Sequence, residues 1–150
     1  MTSATTHESS LHLIVRRTIA ASPERLFAAW TQPQQLMRWW GPEGVRCTEA
    51  HLDLRPGGAY RIANALPDGS TLWIKGTFET VEPPHRLVYS WRLEPGEDAG
   101  ERVTVRFEPK RDATEVIVVH ERIPTSPARE GHERGWVGCL EGLAAFTGAA

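Results

Sequence analysis

The feature that most restricts the fold of this chain is a central run of strand-like segments separated by tight turns. Six such segments are predicted at residues 45–54, 59–65, 71–81, 86–93, 102–108 and 115–122. Turn sequences such as Pro56-Gly57-Gly58 and Asp68-Gly69 lie between them, and an Asp-Gly pair between two strands is typical of a hairpin. Consecutive strands joined by short turns predict an antiparallel meander.

Helical segments flank this run on both sides. Residues 11–19 predict a first strand, and Ser22 followed by Pro23 is a favourable start for a short helix. A second short helix is predicted from Pro33 to the Gly41-Pro42 pair, where the helix ends. Residues 126–146 predict one long helix. Its apolar face carries His132, Trp136, Cys139, Leu140, Leu143 and Phe146.

This order of elements predicts an α+β fold, in which one antiparallel sheet packs a single face against the long helix. Val103, Val105 and Phe107 alternate with polar residues, so at least that strand has one face in water. The 150 residues suffice for one globular domain. We expect that domain at residues 11–147, after a disordered lead at residues 1–10.

Glycines are unusually frequent in the last helix. Gly131, Gly135, Gly138 and Gly142 are spaced so that they lie on one stripe of the helix. Each mid-helix glycine costs roughly 0.5–1 kcal/mol relative to alanine. Two explanations remain open: the stripe serves close packing or leaves empty space beside the helix, or the helix begins only near Glu133.

Aromatic residues are the second unusual feature. The chain has six tryptophans, and two tyrosines accompany them: Trp30, Trp39, Trp40, Trp73, Trp91, Trp136, Tyr60 and Tyr89. Bulky rings on a sheet face pack poorly against a glycine-rich helix, and the space left over would form an apolar pocket for a small molecule. Ordinary core packing is the alternative for each ring, and we expect Trp30 to belong to the core.

Composition excludes several classes of function. The formal net charge is −2, whereas a nucleic-acid-binding protein needs a basic face. No apolar run approaches the roughly 20 residues that span a bilayer, and no export signal is recognisable. Cys47 and Cys139 form no metal-binding pattern, and we expect both to be reduced thiols in a cytoplasmic protein, with a disulfide between them as the alternative.

Catalytic and cofactor-binding motifs are not recognisable in the sequence. His132 and Trp136 occupy the positions of the two histidines in an HExxH motif, so zinc cannot bind in that way. We therefore expect no metal and no cofactor. His120 lies in an apolar strand, where it either bonds a ligand or has a structural role. The acidic group Glu94, Glu97, Asp98 and Glu101 is interpreted as a solvated loop.

Several motifs, taken in order, resemble one known family. They are IAASPERLF at residues 19–27, WWGP at 39–42, DLRPGG at 53–58, GTFETVEPP at 76–84, RLVYSW at 86–91, and Gly135-Trp136 followed by Leu140 and Leu143. In this order they resemble the activator-of-Hsp90-ATPase-homologue-1-like (AHSA1-like) family of the START-related, Bet v 1-like superfamily, also called SRPBCC. The resemblance covers about residues 11–146.

The resemblance implies a helix-grip fold, in which a curved antiparallel sheet wraps around the long C-terminal helix and two short helices follow the first strand. It also implies a cavity between sheet and helix that holds a small hydrophobic ligand. The candidate ligand-binding residues are Trp40, Tyr60, Trp73, Tyr89, Trp91, Phe107, His120, Trp136, Leu140 and Leu143.

Two other functions remain open. One is a protein-interaction module, such as an Hsp90-type co-chaperone, for which the family name is the only support. The other is a cavity enzyme of the cyclase or hydrolase type, which requires an acid–base group in the cavity wall. We expect a monomer or a homodimer, in which the edge strand at residues 11–19 could pair with a second copy.

Overall fold

The computed structural model describes residues 11–41, 44–94 and 100–147 of the chain. Seven strands form one antiparallel sheet with the order β1-β7-β6-β5-β4-β3-β2. The strands are β1 Leu11–Ile19, β2 Arg46–Leu52, β3 Ala59–Ala65, β4 Thr71–Glu82, β5 Arg86–Glu94, β6 Glu101–Lys110 and β7 Ala113–Ile123.

Three helices complete the fold: α1 Pro23–Thr31, α2 Pro33–Trp39 and α3 Ser126–Thr147. Ser22 caps α1, because its Oγ accepts a hydrogen bond from the Arg25 backbone N–H at 3.1 Å. Helix α3 runs without interruption from Ser126, so Gly131 lies inside it and the alternative of a start near Glu133 is wrong. The predicted α+β helix-grip fold is confirmed.

The sheet turns one face toward the helices and the other toward solvent. Inner-face side chains on neighbouring strands stand opposite each other, as Ile62 and Ile74 do. Trp30 of α1 is 3% exposed and packs its ring against Trp39, Phe107 and Trp136, so it belongs to the core as expected. The inner face therefore carries an aromatic core that α1, α2 and α3 cover.

The ladder between β4 and β5 is irregular in two places, at a shift of register between Phe78 and Thr80 and at an interruption before Phe78. Lys75 pairs with Arg92, and Phe78 pairs with Tyr89, but Gly76 and Thr77 have no backbone partner on β5 in the described ladder. There the Ser90 side chain takes over, since its Oγ accepts a hydrogen bond from the Thr77 backbone N–H at 2.9 Å. The sheet is thus held across this interruption by a side chain.

The predicted lead at residues 1–10 lies outside the described residues. Among the described helices, none has both the length and the apolar character that a membrane crossing requires.

Candidate functional site

A cavity lies between the sheet and the N-terminal half of α3, and its volume is about 170 Å3. Helix α3 contributes Gly131, His132, Gly135 and Trp136 to its wall. The segment around Trp40 and the inner face of β3, β4 and β5 supply the other side, with mainly apolar side chains. Its position matches the space that the sequence predicts between the aromatic sheet face and the glycine-rich helix.

The glycine stripe of α3 serves two different purposes along its length. A Cβ added to Gly135 would meet no heavy atom within 4 Å, and Gly131 and Gly135 both line the cavity. A Cβ added to Gly142 would lie only 2.6 Å from the Trp39 carbonyl oxygen, because α2 crosses α3 closely there. The stripe therefore leaves space at one end of the helix and permits close packing at the other.

Two buried polar atoms of the cavity wall have no hydrogen-bond partner in the part of the chain that the structure describes. They are Asn64 Oδ1 and Trp91 Nε1, on side chains that are 3% and 6% exposed. The Asn64 amide nitrogen donates to the backbone carbonyls of Ile62 and Leu72, at 3.4 and 3.2 Å. Because both partners are acceptors, the orientation of this amide is fixed and Oδ1 remains an unpaired acceptor.

A buried carboxylate lies beside the cavity at the start of β6. Glu101 is 7% exposed, and its Oε1 lies 2.7 Å from Nε2 of His120, which is fully buried on β7. Nδ1 of His120 lies 3.0 Å from Nε1 of Trp136. An indole N–H can only donate, so Nδ1 must accept, and the His120 proton sits on Nε2 and bonds to Glu101. This chain of hydrogen bonds connects β6, β7 and α3.

His132 brings a second imidazole to the same carboxylate. Its Nε2 lies 3.1 Å from Oε1 of Glu101, and its ring stacks on the His120 ring with centroids 4.3 Å apart. The side chain is only 14% exposed and lines the cavity, with the Trp91 ring at 5.8 Å in an edge-on contact. His132 therefore connects the cavity to the buried charge of Glu101.

The charges of this cluster follow from its surroundings. Burial alone would raise the pKa of Glu101, but the hydrogen bonds and charge interactions with His120 and His132 lower the pKa by more, to about 2. Burial is also the main reason why the pKa of His120 is lowered. At neutral pH, Glu101 is thus a carboxylate and His120 is a neutral imidazole.

Glu101, His120 and His132 also place three potential metal ligand atoms within 4.8 Å of one another. A neutral imidazole that binds a metal through Nε2 carries its proton on Nδ1 and donates it to an acceptor. Here Nδ1 of His120 faces the N–H of Trp136 instead, so metal binding would bring two donors together at 3.0 Å. The cluster is built for hydrogen bonding to neutral His120 and does not suit a metal ion.

The candidate residues from the sequence divide into three groups. Trp40, Trp91 and Trp136 line the cavity. Tyr60 and Tyr89 lie deeper, around a space of only about 20 Å3 that Trp40 and Trp91 also border. The other residues do not line the cavity: Phe107, Leu140 and Leu143 are core residues, His120 lies in the hydrogen-bonded cluster, and Trp73 lies on the outer face beneath the Arg61 guanidinium.

The sequence does not identify three polar residues of this region: His132 and Asn64, which line the cavity, and Glu101, which lies beside it. Glu101 was interpreted as part of a solvated acidic loop, which is wrong because it is buried against two histidines. Glu97 and Asp98 of that group lie outside the described residues. The sequence predicts His132 on the apolar face of the helix, and this position was the signal that its side chain faces the core. Asn64 shares the inward parity of Tyr60 and Ile62 on β3, which marks it as a buried polar residue.

A larger concave surface of about 630 Å3 lies where the ladder of β4 and β5 is interrupted. Its wall carries the charged side chains of Arg61, Lys75, Glu79 and Arg92. Lys75 pairs with Glu94, and Glu79 pairs with Arg102. This surface is open and carries several charged side chains, so the apolar cavity beside α3 is the better site for a hydrophobic molecule.

The two cysteines are free and buried, so the alternative of a disulfide is wrong. Burial raises the pKa of Cys47 to about 11 and that of Cys139 to about 12. Both are therefore thiols at neutral pH, and neither is an activated nucleophile.

Known structures share this architecture over nearly the whole chain. A protein from Chromobacterium violaceum is 28% identical with a TM-score of 0.83, and the match covers 93% of this chain and 98% of that one. The AHSA1 protein from Silicibacter pomeroyi is 28% identical with a TM-score of 0.80, covering 90% and 96%. CalU16 from Micromonospora echinospora is 27% identical with a TM-score of 0.71, covering 91% and 76%.

No curated protein matches the chain. The family model described as "Activator of Hsp90 ATPase homolog 1-like protein" matches residues 20–148. Together with the similar structures, this match identifies the chain as a member of the AHSA1-like family within the SRPBCC superfamily.

Proposed function

We propose that this protein binds a small, mainly apolar molecule in the cavity between the sheet and α3. The observation that carries the proposal is the pair of unpaired polar atoms, Asn64 Oδ1 and Trp91 Nε1, in an otherwise apolar wall. A buried polar atom without a partner costs roughly 1–3 kcal/mol. A ligand that donates to Asn64 and accepts from Trp91 would remove this cost.

The size of the cavity favours a ligand with about one ring. An engineered apolar cavity of about 150 Å3 holds benzene, whereas drug-sized ligands occupy about 300–1,000 Å3. The present cavity, at about 170 Å3, is near the lower of these sizes. Trp40, Trp91 and Trp136 provide ring surfaces on its wall, and these favour an aromatic or flat aliphatic molecule.

Tryptophan fluorescence provides the direct test, because three of the six tryptophans line the cavity. We expect single-ring compounds with one or two polar substituents to quench the fluorescence and to raise the melting temperature. A ligand at a hundred times its dissociation constant adds about 2.7 kcal/mol to the free energy of unfolding. A panel of such compounds that changes neither signal contradicts the proposal.

A cavity-filling variant makes the test specific to this site. Gly135→Leu places a side chain where an added Cβ meets no atom, and it replaces a glycine inside a helix. We expect binding to fall at least tenfold while the free energy of unfolding stays equal or rises. Val137→Leu, at a 45% exposed position of α3, is the matched control and should bind as the wild type does. Undiminished binding by Gly135→Leu would place the ligand elsewhere.

We place the protein in the cytoplasm, and its two free, buried thiols support this location. We take residues 11–147 as one domain that acts as a monomer or as a homodimer through the edge strand β1. The co-chaperone alternative rests on the family description alone.

A further inference from the structure

A row of basic side chains crosses the outer face of the sheet. Arg61 on β3 stands opposite Lys75 on β4, and Lys75 stands opposite Arg92 on β5. Like charges directly opposite each other on neighbouring strands are destabilising. All three side chains line the concave surface of about 630 Å3, whose wall has only Trp91 in common with the wall of the cavity beside α3. The row is therefore disfavoured by the stability of the sheet, and it belongs to a different concavity from the apolar one.

Nearby carboxylates do not neutralise this row. Lys75 pairs with Glu94, but Arg92 is exposed and has no ion pair and no side-chain hydrogen bond among the described residues. The guanidinium of Arg61 lies over the Trp73 ring, 5.3 Å from its centroid. That ring supplies no negative charge, so Arg61 also lacks an acidic partner in the described part of the chain. Two of the three cations are thus available to an anion from solution.

Other groups on the same wall also suit an anion. Arg122 adds a further guanidinium that has no ion pair within the described ranges. The hydroxyl oxygens of Thr77 and Ser90 lie 3.4 Å apart, and since one O–H satisfies that contact, the other can donate to a ligand. The two carboxylates of the wall are already engaged, Glu79 with an arginine of β6 and Glu101 with two histidines.

We infer that this concave surface is a second binding site, and that its ligand is a small molecule with a diphosphate group. The inference goes beyond the proposed function, because it concerns another surface and another ligand. Neighbouring strands lie about 4.8 Å apart, so the three cations of the row span roughly 10 Å. A phosphate group fits between two neighbouring cations, and a row of three offers two such places side by side.

Phosphate suits these side chains better than carboxylate does. The arginine fork binds two phosphate oxygens through parallel N–H groups, and lysine binds phosphate as a point charge. A terminal phosphate group carries about 1.5 to 2 negative charges at pH 7, more than one carboxylate can bring to the row. The volume of about 630 Å3 is in the usual range of small-molecule sites, about 300–1,000 Å3.

Isothermal titration calorimetry at low ionic strength and without divalent cations tests this site. Inorganic pyrophosphate is the probe, and orthophosphate and succinate are the comparison anions. We expect pyrophosphate to bind about tenfold more tightly than either, or better, because it alone places two phosphate groups on the row. Added NaCl should weaken the binding, since it screens exposed charges. Equal affinity for the three anions, or no binding of pyrophosphate, overturns the inference.

Charge-removing variants locate the binding. Arg92→Gln should weaken pyrophosphate binding by about tenfold or more, and Arg92→Lys should restore only part of it, because lysine lacks the paired N–H groups. Arg111→Gln is the matched control, since this exposed arginine follows β6 at the end remote from Glu101 and loses the same charge. It should bind pyrophosphate as the wild type does. Unchanged binding by Arg92→Gln, or an equal loss in Arg111→Gln, contradicts the assignment.

Gly135→Leu distinguishes this site from the cavity beside α3. This variant should lose the single-ring compounds but bind pyrophosphate as tightly as the wild type. If the wild type binds single-ring compounds but not pyrophosphate, the inference fails and the proposed function stands. If it binds pyrophosphate alone, the proposed function fails and the inference stands. Loss of pyrophosphate binding in Gly135→Leu would show that the site is not separate and would overturn the inference.

Discussion

Replacing glycines 135 and 142 of α3 by alanine should change stability in opposite directions. Both positions lie inside the helix Ser126–Thr147, so each substitution gains the same helix propensity, roughly 0.5–1 kcal/mol. An alanine methyl at position 135 meets no atom within 4 Å. At position 142 the methyl would lie 2.6 Å from the Trp39 carbonyl oxygen, which belongs to the backbone of α2 and cannot rotate away.

The magnitude follows from these two contributions. Gly135→Ala has only the propensity gain, so its free energy of unfolding should rise by about 0.5–1 kcal/mol. Gly142→Ala has the same gain but also the cost of forcing α2 and α3 apart, and overpacking of this kind costs about 1–3 kcal/mol. The two variants should thus differ by about 1–3 kcal/mol. At roughly 2–4 °C per kcal/mol, the melting temperatures should differ by several degrees.

Urea unfolding followed by circular dichroism measures both variants on the same scale. Equal m-values would show that the two variants expose the same surface on unfolding, so that the midpoints can be compared directly. A rise of equal size in both variants would refute the reasoning, because it would mean that α2 moves away from α3 at no cost. A fall in both would mean that position 135 is packed rather than open.

Three further predictions follow from the cluster and from the first helix. Zinc and cobalt ions should leave the melting temperature unchanged within error, because Nδ1 of His120 accepts from Trp136 and cannot carry the proton that metal binding through Nε2 requires. A metal-dependent rise in the melting temperature would contradict this assignment of hydrogen bonds. The pKa of His120 is lowered in the fold, so the unfolded chain takes up a proton at this residue first. The free energy of unfolding should therefore fall as the pH drops below about 6.5. Glu101, whose pKa is lowered to about 2, should cause a second loss of stability below about pH 4.5. Urea titrations at a series of pH values test this, and flat stability from pH 7 to pH 5 would contradict it. Ser22→Ala should lower the free energy of unfolding by about 1 kcal/mol, because the hydrogen bond to the Arg25 N–H is lost, whereas Ser22→Asp should retain most of it.

The sequence predicts the elements well because local chemistry determines most of their ends. Asp68-Gly69 lies between β3 and β4, and the predicted bounds of β3 agree with the structure. The first helix begins after Ser22 for the same kind of reason, because the Ser22 side chain accepts a hydrogen bond from the Arg25 backbone N–H. The sequence leaves the start of α3 open, because Gly131 disfavours a helix locally; in the structure the helix begins after Thr125, whose Oγ1 accepts a hydrogen bond from the Ala128 backbone N–H at 3.2 Å.

The site was predicted less completely because its contacts join distant parts of the chain. Glu101 follows an acidic loop in sequence, but its partners are His120, 19 residues away, and His132 on another element. Burial of a carboxylate depends on where β7 and α3 meet, and no local pattern reports that. Trp73 is the opposite case, because here a local pattern was available. Strand parity places Trp73 on the outer face, whereas the sequence-based prediction assigned this aromatic residue to the inner face.

The interruption between β4 and β5 has a consequence for the motion of the sheet. Gly76 and Thr77 pair with β3 but have no backbone partner on β5 in the described ladder, where the Ser90 Oγ accepts from the Thr77 backbone N–H, so we expect this line to act as a hinge line between two parts of the sheet. Trp91 lies directly on the hinge line and also lines the cavity. We expect β4 and β5 to separate more readily along this line than elsewhere, so the Thr77 amide, which bonds to a side chain on β5, should exchange with deuterium sooner than the amides of neighbouring strand residues.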